Sequence, residues 1–286
     1  MKAPHTPVLE EQVLDYLNAG PDRVIVDTTF GAGGHTRAFL NKGASVVAID
    51  QDPGAVGYAE QYGADRFQLV TGNFRDIDEH LQGLGVGLVD GLLCDLGVSS
   101  MQLDEAHRGF AFRHSGPLDM RMGTQEKSAR DVVNELPCEE LAAIIFRFGE
   151  ERYSRRIARA ICEAREEEPI TTTERLTEIV AGAYPARERR DHPARRTFQA
   201  LRIYVNDELG ALEDLLFKTP ALLRPGGRIA IISYHSLEDR LVKRAFRDDA
   251  RLEVLTKRPV TADEAEVARN PRARSAKLRI AERRTG

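Results

Sequence analysis

Residues 24–52 read VIVDTTFGAGGHTRAFLNKGASVVAIDQD, and this stretch decides the fold. An apolar run from Val24 ends on Asp27, a glycine turn follows at Gly31–Gly34, and a second apolar run ends on Asp50. The pattern predicts a strand, a turn, a helix that begins near His35, and a second strand. Glycines let a ligand approach the backbone, and the start of a helix offers unpaired N–H groups. We therefore expect a nucleotide-type cofactor at this turn.

Two kinds of cofactor suit the glycine turn. Dinucleotide sites use G-x-G-x-x-G, and this chain has Thr36 where the third glycine belongs. Asp50 suits the ribose hydroxyls of NAD and of S-adenosylmethionine alike. Asp27 favours S-adenosylmethionine, because a carboxylate there would repel a pyrophosphate but attract the cationic methionine end. A turn with a purely structural role is the third interpretation.

Polar residues end four consecutive predicted strands: Asp27, Asp50, Asn73 and Asp95. Strands that alternate with helices predict a mostly parallel sheet with helices on both faces. Ligands of such sheets bind beyond the C-terminal strand ends. A lone Asp at a strand end is usually a helix cap or a turn residue, so the coincidence of four is the stronger signal.

The alternation is interrupted in the middle of the chain. From about residue 102 to residue 197 no strand is predicted, several segments have apolar residues at helical spacing, and Pro185–Arg196 is predicted to be a basic loop. One long amphipathic helix is then predicted over Phe198–Phe217, followed by a strand over Arg228–Ser233. The predicted organisation is an α/β domain of residues 1–105 and 198–286 with an inserted all-helical domain, residues 106–197.

Composition and charge narrow the range of partners. The net charge is −4, and no apolar stretch approaches the ~20 residues of a membrane helix, so no membrane partner is expected. Residues 187–286 carry 23 basic and 15 acidic side chains, against 6 and 14 in residues 1–100. The basic C-terminal third predicts a face for a polyanion or, more simply, a solvated surface rich in Arg and Glu.

The cysteines and histidines predict no metal centre. Cys94, Cys138 and Cys162 are odd in number and widely spaced. They fit neither a disulfide framework nor a zinc site, and they indicate a reducing cytoplasm. No second His or Cys lies at ligand spacing from His35.

Six motifs are distinctive because they occur together and in this order. They are Thr29–Thr36 (TFGAGGHT), Asp95–Ser100 (DLGVSS), Pro117–Met122 (PLDMRM), Thr197–Ala200 (TFQA), Ser233–Arg240 (SYHSLEDR) and Asn270–Ser275 (NPRARS). With them the chain closely resembles the bacterial small-subunit ribosomal RNA cytosine-N4 methyltransferases, the MraW or RsmH family. The resemblance covers essentially the whole chain.

The resemblance implies a Class I S-adenosylmethionine-dependent methyltransferase, with a Rossmann-like, mostly parallel sheet and an inserted helical domain for substrate recognition. It implies methyl transfer to the exocyclic N4 amine of a cytidine in the decoding region of 16S rRNA. The partner would be that RNA within the small subunit or a late precursor, in the cytoplasm. The sequence is compatible with a homodimer.

The resemblance also carries over cofactor-binding positions. They are Gly33, Gly34, His35, Asp50, Phe74, Asp95 and Gln102. Asp27 and Gly31 join this set from the reasoning on the turn. The expected contribution of His35 is its backbone N–H, near the methionine carboxylate.

Asp95, His235 and Ser236 are the candidates for catalysis. Asp95 can accept a hydrogen from the cytosine amine, although the chain lacks the prolines that follow this position in DNA amino methyltransferases, and Asp95 serving only the cofactor is the alternative. His235 is the second candidate, because histidine is the side chain that most often takes up a proton in general-base catalysis. The structural alternative is a helix start capped by Ser236 or Asp239.

Six arginines are predicted to contact RNA phosphates: Arg189, Arg190, Arg195, Arg196, Arg272 and Arg274. Such contacts position the RNA without reading its bases. Two other functions compete with the methyltransferase. The glycine turn with Asp50 also suits an NAD-dependent oxidoreductase, and the charge asymmetry also suits a ribosome-binding factor without enzymatic activity.

Overall fold

The computed structural model describes residues 7–113, 115–185 and 192–285, which form two compact units. One unit comprises the chain up to Gly97 and from Leu209 onward, and the other spans Val98–Glu208. The predicted domain boundaries, at residues 106 and 197, lie inside the second unit.

Strands of the first unit form a single sheet. Within the described residues they are β1 (Val24–Asp27), β2 (Ser45–Asp50), β3 (Phe67–Thr71), β4 (Val89–Asp95), β5 (Leu223–Ser233), β6 (Leu252–Val254) and β7 (Lys277–Arg283). Their order is β3-β2-β1-β4-β5-β7-β6. The strands β1 to β5 pair in parallel, whereas β7 is antiparallel to both β5 and β6. This mostly parallel sheet confirms the predicted Rossmann-like α/β class.

The described helices have the following bounds in chain order. They are α1 (Glu10–Tyr16), α2 (Gly34–Asn41), α3 (Val56–Ala59), α4 (Ile77–Gly83), α5 (Ser100–Asp104), α6 (Ala129–Glu135), α7 (Cys138–Gly149), α8 (Ser154–Glu167), α9 (Thr173–Ala183), α10 (Ala194–Asn206), α11 (Glu208–Leu222), α12 (Ser236–Asp248) and α13 (Glu264–Arg269). No helix within the described ranges is both long and apolar enough to cross a membrane.

The sheet is covered on both faces. Ile25 and Val26 are adjacent in β1 and both fully buried, yet they belong to different hydrophobic clusters, because neighbouring side chains of a strand point to opposite faces. Ile25 packs in the cluster that contains Phe39 of α2, and Val26 in the cluster that contains Leu81 of α4. A ligand therefore has access only where the strands end.

Helices α5 to α10 form the second unit around a core of their own. The buried Asn206, at the end of α10, ties the segment before α6 to this core. Its Oδ1 accepts a 2.8 Å hydrogen bond from the Met122 N–H, and its Nδ2 donates one of 2.8 Å to the Met120 carbonyl.

The prediction of a single helix over Phe198–Phe217 is wrong. The structure has α10 and α11 instead, separated at Asp207, whose φ of +47° lies in the left-handed region. A residue in that conformation ends a helix, and Asp tolerates it better than most residues do. The amphipathic spacing continues across the break, which is why the pattern conceals it.

A disulfide joins Cys138 of α7 to Cys162 of α8, so the expectation of no disulfide was wrong for this pair. The packing of α7 against α8 brings the two Cα atoms to 6.2 Å, although the cysteines are 24 residues apart in sequence. That proximity depends on helix packing, which spacing along the chain does not reveal. The third cysteine, Cys94, is buried in β4 with a free thiol.

Candidate active site

The turn after β1 places two glycines with positive φ before α2. Gly31 has a φ of +53° and Gly33 a φ of +76°, a region that glycine enters without strain. A Cβ atom at Gly33 would lie 2.6 Å from the Tyr62 hydroxyl and 2.9 Å from the Phe30 ring. Gly34 then opens α2, whose first turn receives no cap from a side chain. These N–H groups suit an anion.

Asp27, at the end of β1, is only 1% exposed. Its Oδ2 accepts a 2.7 Å hydrogen bond from Thr36 Oγ1, and its Oδ1 accepts one of 3.3 Å from the Thr29 N–H. Burial raises the pKa of Asp27, and the nearby His35 opposes this only in part. These contacts hold the glycine turn and the start of α2 against β1. A contact between Asp27 and a ligand stays a prediction.

Asp50, at the end of β2, faces the same turn. Its Oδ2 accepts a 2.7 Å hydrogen bond from the Gly31 N–H, and its Oδ1 one of 2.9 Å from the Asp52 N–H. Each oxygen keeps a second lone pair, so the carboxylate can still accept from two hydroxyls. The 3₁₀ turn Pro53–Ala55 is capped by Asp52 and not by Asp50. Burial raises the pKa of Asp50 to about 6.

His35 of α2 and Asp95 at the end of β4 approach each other. His35 Nε2 lies 3.7 Å from Asp95 Oδ2, which is ion-pair distance but too long for a hydrogen bond. Burial disfavours the imidazolium, but the carboxylates of Asp95 and Asp27 outweigh it and raise the pKa of His35. His35 is 7% exposed, and its Nε2 makes no hydrogen bond to a residue that the structure describes. This buried nitrogen is available to a ligand.

Tyr234, the residue after β5, holds the other oxygen of Asp95. Its hydroxyl donates a 2.7 Å hydrogen bond to Asp95 Oδ1, while the Asp95 N–H donates one of 2.7 Å to Thr29 Oγ1. Burial, reinforced by Asp95, raises the pKa of Tyr234 well above its usual range, so the hydroxyl stays protonated. Tyr234 is absent from the predicted set, although it stands beside His235 in the quoted SYHSLEDR motif.

The ends of β2 and β3 are joined by an amide pair. Asn73 Nδ2 donates a 3.2 Å hydrogen bond to Gln51 Oε1, and Asn73 Oδ1 accepts one of 3.0 Å from the Arg75 N–H. Gln51 also lies outside the predicted set, although it directly follows Asp50. Phe74 follows Asn73 and is partly buried against the core on that face of the sheet.

His235 itself caps α12, in place of Ser236 or Asp239. His235 Nδ1 accepts from the Glu238 N–H at 3.4 Å, and Glu238 Oε2 accepts from the His235 N–H at 3.3 Å, a reciprocal capping box. Asp239 pairs with the buried Arg279 at 2.7 Å. Ser236 is exposed. The chemical roles of His235 and Ser236 stay predictions beside this structural one.

Gln102 belongs to the second unit, near the start of α5. Its N–H donates to Ser99 Oγ at 3.2 Å, and its Oε1 accepts from the Ser99 N–H at 2.9 Å. This capping box orients a side chain that is 6% exposed. The cofactor role of Gln102 stays a prediction.

The predicted RNA-binding arginines fall in two places. Arg195 and Arg196 are exposed in the first turn of α10, and Arg196 Nη1 donates a 3.0 Å hydrogen bond to the Glu150 carbonyl. In the first unit, Arg272 is partly buried and Arg274 exposed. Arg189 and Arg190 lie outside the described residues.

The carboxylates at the strand ends converge. The negative charge of Asp27 raises the pKa of Asp50, and that of Asp95 raises the pKa of Asp27, so the three groups lie within electrostatic reach. The buried imidazole of His35 lies near two of them, Asp95 and Asp27. Such a cluster can hold a ligand that carries both a hydroxyl pair and a positive charge.

Known proteins resemble the chain over nearly its whole length. The sequence profile described as the MraW methylase family matches residues 2–284. The "Ribosomal RNA small subunit methyltransferase H" of Deinococcus radiodurans is 56% identical over 279 residues, 98% of this chain and 89% of that protein. The protein of the same name from Carboxydothermus hydrogenoformans is 47% identical over 99% of both chains. A solved rRNA methylase from Streptococcus thermophilus superposes with a TM-score of 0.46 at 11% identity, over 99% of each chain, too distant a likeness to support an assignment.

Proposed function

The chain belongs to the MraW methylase family, and on that premise we propose that it methylates the N4 amine of a cytidine in the decoding region of 16S rRNA. Family membership makes it a methyltransferase of small-subunit ribosomal RNA that uses S-adenosylmethionine. Our proposal concerns the methylated base, the methylated atom and the position of that base in the RNA. The observation that carries the proposal is that Asp27, Asp50 and Asp95 lie within electrostatic reach of one another at the strand ends, with His35 beside Asp95 and Asp27.

The residues at the strand ends fit S-adenosylmethionine. The free lone pairs of Asp50 match the ribose hydroxyls. The first N–H groups of α2 match the methionine carboxylate, and so does the His35 Nε2, which makes no hydrogen bond to a described residue. Asp95 suits the cationic end, and Phe74 the adenine face. The Tyr62 hydroxyl and the Phe30 ring lie where a Cβ atom of residue 33 would be, so this position of the turn requires glycine.

When bound, S-adenosylmethionine supplies a methyl group already activated on a sulfonium. The task of the protein is therefore alignment. The lone pair of the cytosine amine is conjugated with its ring, and a hydrogen-bond acceptor on an amine hydrogen makes that pair more available. Asp95 Oδ1 is taken by Tyr234, so Oδ2 is the acceptor and receives the proton that the amine loses.

The RNA would be held by phosphate contacts at Arg195 and Arg196 in the second unit and at Arg272 and Arg274 in the first, together with Arg189 and Arg190. A cytidine that leaves its base stack is expected to bind at the strand ends, beside the cofactor. The partner is 16S rRNA within the small subunit or a late precursor, which places the reaction in the bacterial cytoplasm. A homodimer stays a prediction.

The test is methyl incorporation into small subunits that lack the modification. The protein is incubated with these subunits and S-adenosylmethionine carrying a labelled methyl group, and the digested RNA is analysed by mass spectrometry. We expect label on N4 of one cytidine, and none with subunits from a wild-type strain, in which that amine is already methylated. Label on another atom or base, or on none, contradicts the proposal.

A further inference from the structure

Helix α8 has basic but no acidic residues in its first turn. Arg155 and Arg156 lie in that turn and Arg159 in the second, while the last turn holds Arg165 as well as Glu166 and Glu167. The N-terminal end of a helix carries partial positive charge, so acidic residues are favourable there and basic ones are not. Helix stability therefore does not explain Arg155 and Arg156.

These three arginines have no partner in the part of the chain that the structure describes. Arg155, Arg156 and Arg159 are exposed, and none makes an ion pair or a side-chain hydrogen bond with a described residue. Residues three and four apart are neighbours on a helix surface, so Arg159 lies beside both of the others. The three guanidinium groups thus repel one another, and Glu163, four residues after Arg159, is an acidic residue on the same side of the helix.

Two of these arginines, Arg156 and Arg159, border a groove between α8 and α9. It has a volume of about 570 Å³, and Arg156 and Arg159 of α8 and Arg175 of α9 line it. Glu163 and Glu178 also line it, and Glu178 pairs with Arg175 at 3.4 Å. The end of the groove nearest the start of α8 is consequently the more basic one.

We propose that Arg155, Arg156 and Arg159 form a binding surface for RNA backbone phosphates on the helical unit. The inference rests on the proposed function, and it adds a surface separate in sequence from Arg195 and Arg196. One guanidinium group can donate two hydrogen bonds to the oxygens of one phosphate. An RNA backbone presents phosphates in a row, so three unpaired arginines along one helix can each bind a phosphate. The surface anchors the RNA without reading its bases.

The test is a triple variant, R155Q/R156Q/R159Q, in which glutamine removes the charges but keeps helix propensity. The control variant, K243Q/R244Q/R258Q, removes three exposed positive charges from the first unit. Binding to unmodified small subunits and to protein-free 16S rRNA is measured over a range of KCl concentrations. Calorimetric affinity for S-adenosylhomocysteine shows that both variants are folded.

We expect the slope of log K against log salt to fall in magnitude by about 2 to 3 in the R155Q/R156Q/R159Q variant on both probes, because each phosphate contact contributes roughly 0.7 to 0.9. The control variant should keep the wild-type slope. An unchanged slope in R155Q/R156Q/R159Q, or an equal fall of the slope in the control variant, overturns the inference. Methylation of subunits by the wild-type protein would in that case still support the proposed function. A loss on subunits alone would assign the surface to a ribosomal protein and also overturn it. A wild-type protein that neither binds nor methylates subunits overturns both.

Discussion

The Tyr234 hydroxyl donates a 2.7 Å hydrogen bond to Asp95 Oδ1 across 139 residues of sequence. Asp95 ends β4 and Tyr234 directly follows β5, and these two strands are parallel neighbours, so the sheet itself sets the contact. With Oδ1 occupied, Oδ2 is the oxygen that lies 3.7 Å from His35 Nε2. One carboxylate oxygen is thus held by a hydrogen bond to the protein, and the other is the one to which we assign the role in the proposed reaction.

The first prediction concerns Asp95→Asn. The amide keeps the shape of the side chain and can still accept from Tyr234, but it loses the charge that takes up the amine proton. We expect kcat to fall about 100-fold, within the range of general-base losses. Affinity for S-adenosylhomocysteine, measured by calorimetry, should change less than kcat does. A variant with near wild-type kcat would limit Asp95 to a cofactor role.

The second prediction concerns Tyr234→Phe, which removes only the hydroxyl. Asp95 then loses one hydrogen bond, worth about 1 kcal/mol, and we expect kcat to fall roughly fivefold with little change in KM for the RNA. Steady-state kinetics on small subunits measure the effect. In the Asp95→Asn background the same substitution should lower kcat much less, because the carboxylate that the Tyr234 hydroxyl positions is gone. Equal losses in both backgrounds would mean that Tyr234 acts independently of Asp95.

The third prediction follows from the pKa of Asp50, which burial raises from 3.8 to about 6, with Asp52 and Asp27 acting in the same direction. Between pH 3.8 and about 6, the Asp50 carboxyl is protonated in the folded protein but ionised in the unfolded chain. The free energy of unfolding therefore falls as the pH rises from 3.8 to about 6, by about 3 kcal/mol. Asp50→Asn should remove this part of the pH dependence in urea denaturation. The exposed Asp65→Asn is the control and should retain it.

Ligand binding should show the opposite pH dependence at the same residue. The ionised Asp50 accepts from the ribose hydroxyls, so protonation weakens binding. Lowering the pH from about 7 to about 5 should raise the Kd for S-adenosylhomocysteine roughly tenfold in the wild-type protein. In Asp50→Asn the Kd should be high at both values. A wild-type Kd independent of pH would contradict the ribose assignment.

The positions of the strand-end carboxylates were predictable from sequence, because parallel strands end at the same edge of a sheet. Asp27, Asp50 and Asp95 each close an apolar run, and that local signal is enough. Tyr234 was not predictable in the same way. Its role depends on the pairing of β4 with β5, and nothing within a few residues of Tyr234 indicates that its partner is Asp95.

The sequence also failed to predict features that depend on helix packing or on a single backbone angle. The left-handed φ of Asp207 interrupts a continuous amphipathic pattern, and the bond between Cys138 and Cys162 depends on how α7 packs against α8. Strand β6 has three residues, too few for an alternating pattern. The capping role of His235 is hidden because imidazole is an uncommon cap compared with Ser236 beside it.

The fourth prediction concerns Gly33→Ala. The added Cβ would meet the Tyr62 hydroxyl at 2.6 Å and the Phe30 ring at 2.9 Å, in a left-handed backbone conformation. We expect a loss of about 2 kcal/mol in the free energy of unfolding and a weaker affinity for S-adenosylhomocysteine. Tyr62→Phe removes one of the clashing atoms together with its 2.9 Å hydrogen bond to the Gly33 carbonyl.

The double variant G33A/Y62F separates the clash from the backbone strain. If the hydroxyl clash dominates, the double variant should lose less stability than the sum of the two single variants. Urea denaturation of all four proteins measures this coupling. Additive losses would assign the cost to the positive φ and to Phe30 instead.

The fifth prediction compares Arg195 with Arg196, neighbours in the first turn of α10 that differ in their contacts. Arg196 donates a hydrogen bond to the Glu150 carbonyl, whereas the side chain of Arg195 makes no hydrogen bond or ion pair with a described residue. We expect Arg195→Gln to raise KM for small subunits and to lower the salt slope by about 1, with an unchanged melting temperature. Arg196→Gln should also lower the melting temperature, because it removes the bond to Glu150. Equal thermal stability of the two variants would show that this bond contributes nothing, and an unchanged salt slope in Arg195→Gln would remove Arg195 from the RNA-binding surface.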